Sequence, residues 1–322
     1  MNGKKPSTSG VMLTVSLRSA LHYGHRAPPQ PLGELLRLLP LAVQQSVCMA
    51  FTGQSSVRGR RPAWLRQATD IRLVEYAGSD MTVLKFEVPR LGDAAAELYR
   101  RREEWPSKPA VDDTGFDLLA DVLCDVANED SDSDRFDQPL LQRIVRFKRA
   151  MQSGFQEIAI TGNRYGPDHP CLVNEAVVET ARRLCSNTPS PQQARIVGNL
   201  DVIRASTRTF ALKLDNGEEI RGLLATGDVE KLASLFRRRV MVLGKAVFRP
   251  SGCLLRIDAD EVVPAAVNDR LFSVPPKPQH RALDVRNAAG QHRRKKGLSA
   301  VFGRWPGNET DEEIEQALRE LS

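Results

Sequence analysis

The sequence predicts an α+β protein: a mixed N-terminal domain, then a small β-barrel of SH3-like or OB-like type, a flexible basic linker and a C-terminal amphipathic helix. Three observations carry that expectation. Helix-spaced apolar residues alternate with short period-two runs over the first 187 residues. Four or five strand-like runs then crowd into residues 194–262. A composition of 41% hydrophobic and 27% charged residues in a chain of 322 residues is that of a core-forming protein long enough for two cores.

Residues 1–12 are polar and rich in Gly, Ser and Lys, and are expected to be frayed. An α+β domain is expected over 13–187. The stretch "PLGELLRLLPLAVQQSVCMAF" from Pro31 has helical spacing, with Pro40 as the expected break or kink. Two alternating runs, Ile71-Leu73-Glu75 and Val83-Lys85-Glu87, are joined by Ala77-Gly78-Ser79-Asp80 and read as a β-hairpin. Helical patterns follow around 93–104, 114–128 and 138–152, then a strand at 155–162 and a helix at 173–187.

"NTPSPQQ" at 187–193 marks a boundary. Beyond it the barrel is expected over 194–267, with strands at 194–204, 207–214, 218–225, 239–248 and 253–262 and a short helix at 228–236. Asn216-Gly217 between the second and third strands is a strong hairpin signal, because both residues tolerate positive φ. Residues 268–298 combine prolines, glycines and basic side chains and read as a linker. Residues 299–322 form a distinct tail.

No apolar run reaches the roughly 20 residues of a membrane span, and Val11 to Leu17 is too short and polar for a signal peptide. A cytoplasmic protein without a membrane partner is the expectation. Cys48, Cys124, Cys171, Cys185 and Cys253 are scattered singly and read as reduced structural thiols. Phosphate-binding, dinucleotide, nucleophile-elbow and zinc-protease motifs are absent, so no catalytic residue, cofactor or metal site is assigned and an enzyme is not expected. His22 and His25 lack a third ligand. Asp130, Asp132 and Asp134 imitate a calcium loop, but Arg135 stands where that loop needs glycine and Leu141 where it needs glutamate.

The net charge of +6 suggests an anionic partner. The barrel carries Arg204, Arg208, Lys213, Arg221 and the run Arg237-Arg238-Arg239, and the linker adds Arg293, Arg294, Lys295 and Lys296. Basic barrels bind single strands when aromatic side chains are exposed on them, yet alternation would bury Phe210 and Phe248. DNA or RNA binding by Arg237–Arg239 and 293–296 is therefore the second functional expectation.

The tail carries the first. In "SAVFGRWPGNETDEEIEQALREL", Thr310 and Glu313 match a capping box, and Asp311 and Glu312 favour the positive end of the helix that it starts. Ile314, Ala317, Leu318 and Leu321 then form one apolar stripe. So short a helix is marginal alone and needs a surface to dock on. Phe302 and Trp305 add aromatic anchors of the kind found at interface hot spots. Six acidic residues against two arginines set this segment apart from the basic remainder.

This segment resembles the toxin-neutralising C-terminal tails of bacterial type II antitoxins, particularly those paired with PIN-domain ribonucleases, over about 20 residues. The resemblance implies that Arg304 enters the toxin's carboxylate cluster and competes with its Mg²⁺. It implies that Phe302 and Trp305 fill apolar grooves and that Ile314, Leu318 and Leu321 lie along the toxin surface. A guanidinium suits this because its planar fork satisfies several carboxylates at once. Nothing near the N-terminus matches the small DNA-binding domains typical of that family, so the resemblance extends to the neutralising role and leaves operator binding open. Homo-oligomerisation stays open.

Overall fold

The computed structural model describes residues 10–56, 59–100, 108–152, 154–224 and 229–278. It contains a helix-backed sheet and a closed barrel, in keeping with the α+β class.

The first strand, β1 (Val11–Arg18), was not expected; it overlaps the end of the segment read as frayed. Its pattern explains it: Leu13, Val15 and Leu17 alternate into the core while Met12, Thr14 and Ser16 face outward. β2 (Arg72–Ala77) and β3 (Thr82–Val88) form the anticipated hairpin. β4 (Glu157–Ile160) and a second unexpected strand, β5 (Cys171–Asn174), complete an antiparallel sheet of order β2-β3-β1-β4-β5. β1 is its centre, paired to β3 (Val15↔Leu84) and to β4 (Val15↔Ile160).

One face of the sheet is covered by helices. α1 (Pro29–Thr52) runs through Pro40 without interruption, against the expected break. Proline removes one backbone hydrogen bond at a cost of about 3 kcal/mol. Burial of Leu35, Leu38, Leu39, Ala42, Val43 and Val47, at about 1.5–3 kcal/mol for each large side chain, outweighs it. Among the described residues α1 is the one helix long and apolar enough to cross a membrane, and 56% of its apolar window is buried against the rest of this chain.

α2 (Ala63–Ala68) and two short turns, α3 (Leu91–Ala94) and α4 (Ala96–Tyr99), line one side. The predicted helix 93–104 is thus shorter, and its C-terminal part falls among residues outside the described ones.

α5 (Gly115–Ala127) starts at a capping box: Asp117 Oδ2 accepts from the Thr114 amide at 2.8 Å and Thr114 Oγ1 from the Asp117 amide at 3.4 Å. The predicted helix 138–152 is two helices, α6 (Gln138–Val145) and α7 (Lys148–Gln152). α8 (Glu175–Asn187) is capped by Asn174, whose Oδ1 accepts from Val177 N at 3.1 Å.

β6 (Gln192–Arg204), β7 (Thr209–Lys213), β8 (Glu219–Leu224), β9 (Arg239–Phe248) and β10 (Leu254–Pro264) form the closed barrel, with α9 (Val229–Ser234) between β8 and β9. Neighbours run β10-β8-β7-β6-β9, β10 pairs back to β9, and β8 and β10 are parallel. Gly217 supplies the positive φ of 86° that the β7–β8 turn needs. Phe210 and Phe248 are fully buried, as alternation implied.

Gly222 gives the Phe210 ring its place, since a Cβ there would overlap the ring carbons. Gly222→Ala is expected to lower stability by about 1–3 kcal/mol, the usual cost of overpacking, as a fall in the thermal midpoint. The first residues of the predicted linker are ordered on the barrel: Val267–Phe272 form a 3₁₀ turn, and Ser273 Oγ accepts from Asp215 N at 3.1 Å.

Barrel and helical layer are joined by polar and apolar contacts. Asp137, at the N-cap of α6, is fully buried. It accepts from Ser55 N at 3.1 Å and from the Ser55 hydroxyl, and pairs with Arg256 of β10 at 3.3 Å. Arg256 also donates to Gly53 O at 3.0 Å and to Asp258 at 2.8 Å. Gly53 closes α1 in the left-handed region, φ 73°, and the Arg221 side chain lies where its Cβ would be. Met49, Val247 and Leu255 form a small apolar cluster alongside.

Candidate interaction surface of the barrel

Residues 235–239 lead from α9 into β9 and contain the arginine run named from the sequence. Arg237 adopts φ 59° and donates its amide to Leu200 O at 2.9 Å, while Leu200 N donates to Arg238 O at 3.0 Å. The backbone is thereby fixed against β6, and consecutive side chains diverge.

Arg237 sits 5.5 Å from the ring centroid of Phe236, an aromatic residue 43% exposed. Arg238 is exposed. Arg239 turns to Asp215 and makes a two-pronged ion pair at 2.6 and 2.7 Å. That pairing holds the Asp215 carboxyl below the usual carboxylate range, with the Arg239 hydrogen bond as the main cause. The run is therefore two exposed cations and one neutralised one. Exposed Asp201 lies on β6, beside β9, and exposed Glu219 on β8 opposite Lys213 of β7, so this end of the barrel carries both signs.

Arg221 is elsewhere. It projects from β8 onto the helical layer, 3.6 Å from Asp134, and burial holds its guanidinium below its ordinary value. On the same outward face of β7 and β8, Ala211 and Leu223 are also buried. From within the β9–β10 turn, Ser251 N donates to Ser131 O at 3.1 Å. The broad face of the barrel is thus occupied by its own chain.

Phe302, Arg304, Trp305, Ile314, Leu318 and Leu321 lie outside the described residues, as do Arg293, Arg294, Lys295 and Lys296. His22 stands at φ 46° in the turn after β1, with His25 in the following 3₁₀ turn. Asp130 accepts from Asp132 N at 3.0 Å, whereas Asp134 faces Arg221. No group of three or more His, Cys, Asp or Glu among the described residues could hold a metal ion.

Sequence reasoning missed a second polar cluster. Asp117 and Asp121 lie one turn apart on α5 and Asp113 just ahead of its N-cap, a four-residue spacing readable from the sequence. Arg164 answers them: Nε bonds Asp113 at 2.9 Å, Nη2 bonds Asp121 at 2.6 Å, and its amide donates to Asp117 at 2.7 Å. Tyr165 OH donates to Asp121 at 2.7 Å. Burial raises the Asp113 carboxyl, against the lowering effect of Arg164. The cluster ties the loop after β4 to α5 and closes on itself.

No protein-family model, no curated protein and no solved structure matches this chain.

Proposed function

We propose that this chain is a non-catalytic binding protein, an antitoxin-like inhibitor or positioning partner of a PIN-type nuclease that acts through residues 299–322. The observation that carries it is the tail sequence "FGRWPGNETDEEIEQALREL". It places one arginine between two aromatic anchors, ahead of an acidic capping box and an apolar stripe. Arg304 meets the carboxylates of the nuclease, Phe302 and Trp305 fill apolar pockets beside them, and Ile314, Leu318 and Leu321 lie in a groove. The folded body, locked across Asp137 and Arg256, serves as the platform from which the tail is presented.

Affinity capture from the native host tests this, with the full chain and a copy ending at Leu298 as baits. A nuclease with an acidic site retained only by the full chain is the expected result. The same partners on both baits overturns the reading.

A second reading is favoured by the strand order of the barrel. Consecutive strands take the order 1-2-3-5-4 with a helix after the third, which suits an OB-like barrel, a fold that often binds oligonucleotides. In such barrels the second and third strands and the adjoining loops make the usual site. Here that face is buried, so binding would fall to Arg237, Arg238 and 293–296. Arg237→Ala/Arg238→Ala is then expected to weaken single-strand binding roughly tenfold in a fluorescence-anisotropy titration, with a shallower salt dependence.

A further inference from the structure

Positive charge gathers on the helical layer. α1 contributes Arg37; α6 contributes Arg143, with Arg146 at its C-cap; α7 contributes Lys148 and Arg149; α8 contributes Arg182. These helices pack against one another, and Arg37, Arg143 and Arg146, distant in sequence, lie within electrostatic reach of one another. Arg143 is held by Gln45, whose Oε1 accepts from Nε at 3.0 Å. Its guanidinium is lowered first by burial and then by the nearness of Arg146 and Arg37.

Three carboxylates lie on the same four helices, Glu34 on α1 and Glu175 and Glu179 on α8. Glu34 pairs with Arg37 at 2.7 Å and Glu179 with Arg182 at 2.5 Å, each within its own helix. Glu179 also feels Lys148, which places α7 and α8 in one field. Like charges gathered across helices at a cost in repulsion point to an external anion.

We infer that this face of α1, α6, α7 and α8 binds the phosphate backbone of double-helical nucleic acid without reading its sequence. A polyanion fits better than a protein, because none of the large apolar side chains exposed among the described residues lies on these helices, and protein interfaces are built around such anchors. A duplex fits better than a single strand for a related reason. Single-strand sites stack bases on exposed aromatic rings, and no exposed large aromatic lies on this face among the described residues. Cations spread over several helices instead match a backbone whose charges recur every few ångströms. The inference is independent of the tail reading. It shares the ligand class of the second reading but none of its residues.

The test is anisotropy with the full chain on a labelled 20-base-pair random duplex, as DNA and as RNA, and on the single strand, across salt. The full chain is compared with Arg146→Ala/Lys148→Ala and with Arg237→Ala/Arg238→Ala, and thermal melting checks that all three are folded. The expected result is duplex binding of either kind that the helical-layer variant weakens by about tenfold or more, with the slope of log K against log salt reduced by about 2. Arg143→Gln, which removes one cation without a large cavity, is expected to act in the same direction.

Duplex binding lost in the barrel variant and kept in the helical-layer variant overturns the inference and leaves the second reading standing. Preference for the single strand overturns it, as does binding to phosphatidylserine vesicles but not to duplex. Absence of all nucleic-acid binding overturns both.

Discussion

Asp137→Ala is expected to destabilise the folded body by about 3–5 kcal/mol, the usual effect of removing one member of a buried ion pair. Three losses coincide at that position. Arg256, 7% exposed at its side chain, keeps its Asp258 contact but loses its buried counter-charge. Ser55 loses the acceptor of both its amide and its hydroxyl. α6 loses its N-cap, worth about 1 kcal/mol.

The damage crosses the junction, because Asp137 and Arg256 belong to the helical layer and the barrel respectively. Urea unfolding should therefore show a lower midpoint and a transition broadened or divided into two, with barrel and helical layer no longer melting together. Asp137→Leu/Arg256→Met removes both charges and should be less harmful, since no unpaired charge stays buried, with the Ser55 and N-cap losses remaining. If Asp137→Ala shifts stability by less than about 1 kcal/mol, the junction is not held by this pair.

Arg304→Glu is the second large effect. On the proposed function a guanidinium surrounded by carboxylates becomes one more carboxylate among them, which costs several kcal/mol and should weaken partner binding by two or more orders of magnitude. Arg304→Lys retains charge but not the planar fork, so an intermediate loss is expected. Calorimetric titration against the captured nuclease measures both. An Arg304→Glu variant that binds and inhibits as well as the natural chain removes the arginine from the mechanism, whatever the rest of the tail does.

Local pattern was a good guide wherever an element is defined by its own residues. The hairpin of β2 and β3, the Asn216-Gly217 turn, the helical span of α5 and the barrel strands are all visible as period or turn chemistry. β1 does not stand out by hydrophobicity, because the signal in Val11–Leu17 is its alternation. β5 is masked in sequence because Cys171–Asn174 runs directly into α8 and its four residues dissolve into the helical pattern.

Long-range chemistry was illegible for a different reason. Asp137 reads as an N-cap, and nothing local announces Arg256, 119 residues later. The basic helical face was hidden in the same way, since Arg37, Arg146 and Arg182 each look like ordinary surface charge until packing gathers them. The arginine run at 237–239, conspicuous in one dimension, is divided by its backbone and by Asp215.

The central position of β1 has a consequence for synthesis. Its register with β4, Val15 to Ile160, spans about 145 residues. At roughly 5–20 residues per second, a ribosome needs about 7–30 s between making the two. Over that interval β3 can pair with one edge of β1, but the other edge and part of the apolar row Leu13, Val15 and Leu17 wait for a neighbour still being translated. The nascent chain thus carries a sticky half-sheet through much of its production. The yield of folded protein should depend on elongation rate and on chaperones that hold extended apolar segments.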